Sequence, residues 1–196
     1  MITTDAARPF RSATVRWMGN TRGRGGDERT ARTRVVVAVS GVVVVAVYAA
    51  LLAVESLVLD PLAAVPGASL AQIHAHLEGQ GFHVRTDIAV VVGIAVVGVA
   101  LAVGLASSLL VTRAPAHVLA AVLLAVVVTG APMSWWSGFQ LGMDVADGYG
   151  VGGEDHTIWA GVLYATSAVA LVALPFVLVV GQARHVRRTT GRTRAA

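Results

Sequence analysis

The sequence predicts an all-α membrane protein: four transmembrane helices in an antiparallel bundle, with a short amphipathic helix in the first outer loop. Three observations carry that prediction. Only 13% of the 196 residues are charged, about half the share in an ordinary soluble domain. The apolar residues gather in four runs, each near the roughly 20 residues a helix needs to cross a bilayer. The arginines fall almost wholly on one side of those runs.

The first run, "VVVAVSGVVVVAVYAALLAV", covers about 35–54. The others cover about 88–111, 117–136 and 158–181. None holds Asp, Glu, Lys or Arg in its interior. Strands are far shorter than these runs. In lipid the backbone must satisfy its own hydrogen bonds, which makes helix the expected state. The first run is too long for the 7–15 apolar residues of a signal peptide and is read as a retained span. Met18 is an alternative start of translation.

These spans divide the chain into a basic tail at 1–34, a transmembrane domain at 35–181 and a second basic tail at 182–196. Lysine is absent, and fourteen of the fifteen arginines lie in the two tails and the turn at 112–116. Arginine-rich segments stay in the cytoplasm. The reading is therefore a multi-pass protein of the cytoplasmic membrane, with both termini cytoplasmic and loops 55–87 and 137–157 outside. Eight of the eleven acidic residues fall in those two loops. Trp135, Trp136 and Trp159 sit at outer span ends, where interfacial aromatics belong.

Within the bilayer, close packing favours small residues at spacing four. Such rows are Gly98, Ala102 and Ala106; Ala121, Ala125 and Thr129; and Gly161 with Ala165. The 112–116 turn makes spans two and three antiparallel neighbours. Pro132 and Pro175 are expected to kink their helices.

Pro61 and Pro66 break the chain after the first span, and Ser69 is placed to cap a new helix. Leu70, Ile73 and Leu77 then share one helical face, and Gly79 ends it. On that helix His74 and His76 point roughly 160° apart, whereas His74 and Glu78 share a face. Neutral imidazole with carboxylates suits zinc or another divalent ion. The candidate metal residues are His74, Glu78, His83, Asp155 and His156, with Asp60 and Glu154 as further oxygen donors. No motif of the HExxH type is present. Loop 137–157, with six glycines and four acids, fits neither a calcium loop nor a phosphate loop and reads as a flexible connector.

On the inner side, 6–18 is expected to lie on the leaflet, with Phe10, Ala13 and Trp17 on one face and Arg8, Arg11 and Arg16 elsewhere. Residues 19–34 read as a disordered basic tether. Anionic lipid accounts for these arginines more simply than nucleic acid does.

Absent cysteine excludes disulfides and thiol chemistry. No catalytic residues and no cofactor are expected beyond the divalent metal just described. Pumps and channels use ionisable groups inside the bundle. The spans here offer Ser40, Ser107, Ser108, Thr129, Thr166, Ser167 and two tyrosines. The leading expectation is a non-enzymatic accessory or assembly protein with a membrane-protein partner or a second copy of itself. The alternatives are a metal-dependent protein using its outer loops and a subunit of an oligomeric small-solute transporter.

Overall fold

A computed structural model describes the backbone over residues 20–193 and the side chains over 28–184. The expected surface helix at 6–18 and the start at Met18 lie outside the described residues. The described residues form helices joined by turns and short loops, without strands. Four of its helices are long and apolar enough to cross a membrane.

Helix α1 spans Asn20–Val54. The basic stretch read as a tether is thus helical from Asn20, well before the apolar run begins. Valine runs carry poor helix propensity in water. In lipid every backbone group needs an internal partner, and that requirement outweighs propensity. Gly41 lets α1 approach Leu123 so closely that a Cβ there would overlap the leucine side chain.

At the end of α1 the helix does not break. Glu55–Leu59 forms a π-turn, and α2 (Asp60–Ala64) follows directly. Pro61 has no N–H and would crowd the carbonyl four residues back in a regular helix. The wider turn accommodates it: the Asp60 N–H reaches back five residues to the Glu55 carbonyl. The chain leaves the helix only at Val65, before Pro66, and turns at Gly67 with φ +88°.

Helix α3 (Leu70–Gly79) begins with a reciprocal cap: Gln72 N donates to Ser69 Oγ at 3.3 Å, and Ser69 N donates to Gln72 Oε1 at 2.8 Å. Helix α4 (Val84–Val111) and helix α5 (Ala116–Tyr149) are joined by a tight turn in which Arg113 adopts φ +54°. Helix α6 covers Ile158–Thr193. Pro132 and Pro175 lie inside α5 and α6, and both helices continue past them.

The flexible connector expected after Trp136 is corrected here. The 34 residues of α5 rise about 51 Å, against a hydrocarbon core of about 30 Å. The helix is therefore longer than a span needs, and its last turns run through Tyr149. They are held by a second core, in which Leu141 and Val145 of α5 meet Ile73 and Leu77 of α3 and Val84 of α4. The main core lies between the long helices, around Tyr48, Leu52, Ala102, Leu119, Leu123 and Leu163. The first half of α1 is tied to the end of α4, where Arg34 Nη2 donates to the Leu110 carbonyl at 2.8 Å.

The small-residue rows divide. Ala102, Ala106 and Ala121 are buried between helices. Ala125, Thr129, Gly161 and Ala165 lie on exposed faces.

Candidate functional site: an acidic cluster and a lateral groove

The π-turn places an acid where the apolar run had seemed to end in solvent. Glu55 is only 4% exposed. Its Oε1 accepts from the Thr157 hydroxyl at 2.7 Å, while Oε2 is buried without a partner. The Thr157 oxygen in turn accepts from Trp159 N at 3.1 Å, capping α6. One threonine therefore starts α6 and ties it to the end of α1.

Beside it, Asp60 Oδ1 accepts from His156 N at 2.7 Å, and His156 Nδ1 lies 3.4 Å from the same oxygen. Asp60 and Asp155 are close enough to Glu55 for their charges to bear on it. Partial burial, and then the Asp60 charge, raise the Asp155 carboxyl above the usual carboxylate range; His156 opposes that shift. Next to the acid, Ser56 Oγ and Ser137 Oγ meet at 3.4 Å inside the protein, and Ser137 donates to the Ser134 carbonyl at 3.0 Å. Deeper, Ser167 Oγ donates to the Val127 carbonyl at 2.9 Å and lies 3.1 Å from the Tyr48 phenol oxygen. Polar side chains thus pin α1, α5 and α6 together at two levels.

The five sequence-predicted metal residues occupy separate places. Asp155 and His156 flank Asp60 in the acidic cluster. His83 precedes α4, near the point where Asp144 of α5 faces Asp87 at hydrogen-bonding range. Glu78 is exposed and lies 3.7 Å from Arg85 Nε. His74 Nε2 is buried without a partner on α3. His76 faces another way: its Nε2 is 3.1 Å from the Gly148 carbonyl oxygen, and its ring lies 4.5 Å from that of Tyr149. Among the described residues, no three His, Asp or Glu side chains gather as a metal-holding group.

Sequence reasoning placed Glu55 in a solvated loop and did not find it as a buried acid. The available signal was Leu57, Val58 and Leu59, which carry the apolar run on past Glu55.

A second feature lies on the flank of the spans. A groove of about 470 Å³ opens between α1, α4 and α5. Tyr48, Gly93, Ala95, Gly98, Thr129 and Gly130 are among its lining residues. A Cβ added at Gly93 or Gly98 would meet nothing within 4 Å, so these glycines leave real space. At Gly130 the space is already filled by the Tyr48 ring.

No known family model, no curated protein and no solved structure matches this chain.

Proposed function

We propose that this chain is a non-enzymatic accessory or assembly protein of the cytoplasmic membrane, and that its lateral groove seats a transmembrane helix of a partner protein. The groove itself carries the reading. Helices in lipid associate by close backbone approach over small residues. Here glycines on α4 and α5 and alanines on α1 and α4 line one recess along the spans. Lipid tails fill such a recess loosely, whereas a helix ridge packs against it continuously. The working arrangement is an antiparallel bundle, α3 on the outer surface and both termini in the cytoplasm, as the arginine distribution favours.

Gly98→Phe tests this reading. The added ring enters open groove rather than the protein's own core. The variant should keep the parent's unfolding temperature and lose its larger complex on native electrophoresis from mild detergent. A complex retained at full yield would sink the groove assignment. A complex containing only copies of this chain would replace the partner helix with self-association.

A second reading, a divalent cation held by the outer loops, rests on Glu55 Oε2. A buried carboxylate oxygen without a partner is costly, and a cation or a donor group would satisfy it. Asp60, Asp155 and His156 lie near it and are of the kinds zinc accepts, but among the described residues they do not gather with Glu55 as a preformed metal-holding group. Calorimetric zinc titration of the parent, Glu55→Gln and His74→Ala separates this site from α3. Absence of zinc binding by the parent removes the reading.

A further inference from the structure

A basic cleft remains outside both features. It holds about 920 Å³ and lies where the start of α1, the α4–α5 turn and the end of α6 converge. Arg29, Arg34, Arg113 and Arg184 line it from these three separate segments, with His117 at its wall. Among the described residues that line it, none is a carboxylate. Cations brought together without an acid repel one another, and an anion between them relieves that repulsion.

One of these arginines is held in position. Arg34 is anchored through Nη2 to the Leu110 carbonyl, and its Nε is buried without a partner. Arg113 sits in a left-handed turn conformation that bulky residues rarely adopt. The guanidinium fork suits phosphate oxygens in particular. The remaining wall is apolar, formed by Phe176, Val177 and Val180 of α6. Phe176 and Val180 are exposed along the face where the spans end. A cleft with cationic and apolar walls at the edge of membrane spans fits an amphiphile better than a small ion.

We propose that this cleft binds a phosphate group carried on an anionic phospholipid, with the headgroup among the four arginines and an acyl chain along Phe176 and Val180. This is a defined site made by three segments, distinct from diffuse attraction of the basic tails to the membrane. It does not depend on the groove reading.

The test uses the full chain in detergent, examined by native mass spectrometry with added phosphatidylglycerol or phosphatidylcholine. The variant is R113Q/R184Q; both side chains are exposed. The control is R85Q, at the other end of the spans. The parent and R85Q should retain phosphatidylglycerol in preference to phosphatidylcholine. R113Q/R184Q should bind phosphatidylglycerol about thirty-fold more weakly, roughly five-fold for each arginine near the headgroup. Equal retention by R113Q/R184Q and R85Q would overturn the site, and so would equal binding of both lipids by the parent. Inorganic phosphate is the third arm. If it displaces the lipid at millimolar concentration, the cleft recognises a free phosphate and the lipid assignment fails. If the lipid persists, the apolar wall contributes as proposed.

Discussion

Substituting Gly130→Ala adds one methyl group at the tightest contact between α1 and α5 that involves a polar pin. The new Cβ would sit 2.5 Å from Tyr48 Cε1, 2.6 Å from Cζ and 2.8 Å from the phenol oxygen. All three are well inside van der Waals contact. Tyr48 cannot swing aside freely, because it is 8% exposed and its oxygen is engaged with Ser167. Overpacking of this kind costs about 1–3 kcal/mol. Displacing the phenol from Ser167 adds about 1 kcal/mol. A loss near 3 kcal/mol lowers the unfolding temperature by roughly 6–12 °C for a chain of this size. Gly98→Ala is the matched control, since its Cβ meets nothing; it should be neutral or stabilising, because Gly loses about 0.5–1 kcal/mol to Ala within a helix. Thermal unfolding in one detergent, followed by tryptophan fluorescence, compares the two. Tyr48→Leu combined with Gly130→Ala should recover part of the loss, as contacting residues couple. Equal behaviour of Gly130→Ala and Gly98→Ala would refute the close approach.

Three further outcomes follow from α3 and the acidic cluster. Leu77→Ala, at a position that is 0% exposed, should cost about 2–5 kcal/mol and loosen α3 from α5, seen as faster amide exchange over 70–79. Glu55→Gln should hold or raise the unfolding temperature, because it keeps an acceptor for Thr157 while removing a charge beside Asp60 and Asp155; Glu55→Ala should lower it, at a cost of about 1–3 kcal/mol in stability. The raised Asp155 carboxyl makes a stability contribution that is present below the unfolded carboxylate range and is lost as pH rises through the folded value. Asp155→Asn should therefore stabilise the protein slightly at neutral pH and not in acid, an effect kept small by the exposure of Asp155; urea unfolding at both pH values checks the sign.

The long helices were legible because bilayer length and absence of charge are strong constraints that operate residue by residue. Where they stop was harder to read. Glu55 ends an uncharged run, and a rule based on charge places it in water. The π-turn instead carries the helix through Pro61 and turns the acid inward. At 138–149, glycines and aspartates masked a helical face made by Leu141 and Val145. That face has meaning only once α3 supplies Ile73 and Leu77 to cover it. His74 and Glu78 were paired by sequence spacing, but Glu78 turns to Arg85, whereas Asp60 and His156, named for one shell across the loops, do lie side by side. Both choices depend on contacts across the fold. The groove was half visible: Gly98 was marked as a packing residue, yet its neighbours Ala102 and Ala106 face the protein's own core.

The central claim is that the groove receives a partner's helix, and cross-linking from within it is the most direct measurement. The chain has no cysteine, so Gly98→Cys gives a single thiol in the recess, and Val169→Cys gives one on the exposed face of α6, where Val169 is 69% exposed. A thiol-reactive photoprobe is attached in native membranes and illuminated, and the adducts are identified by peptide mass spectrometry. The account predicts one recurrent peptide from a transmembrane helix of a second protein, joined to position 98 and absent at position 169. Adducts to lipid alone at both positions, or the same peptides at both, would contradict it.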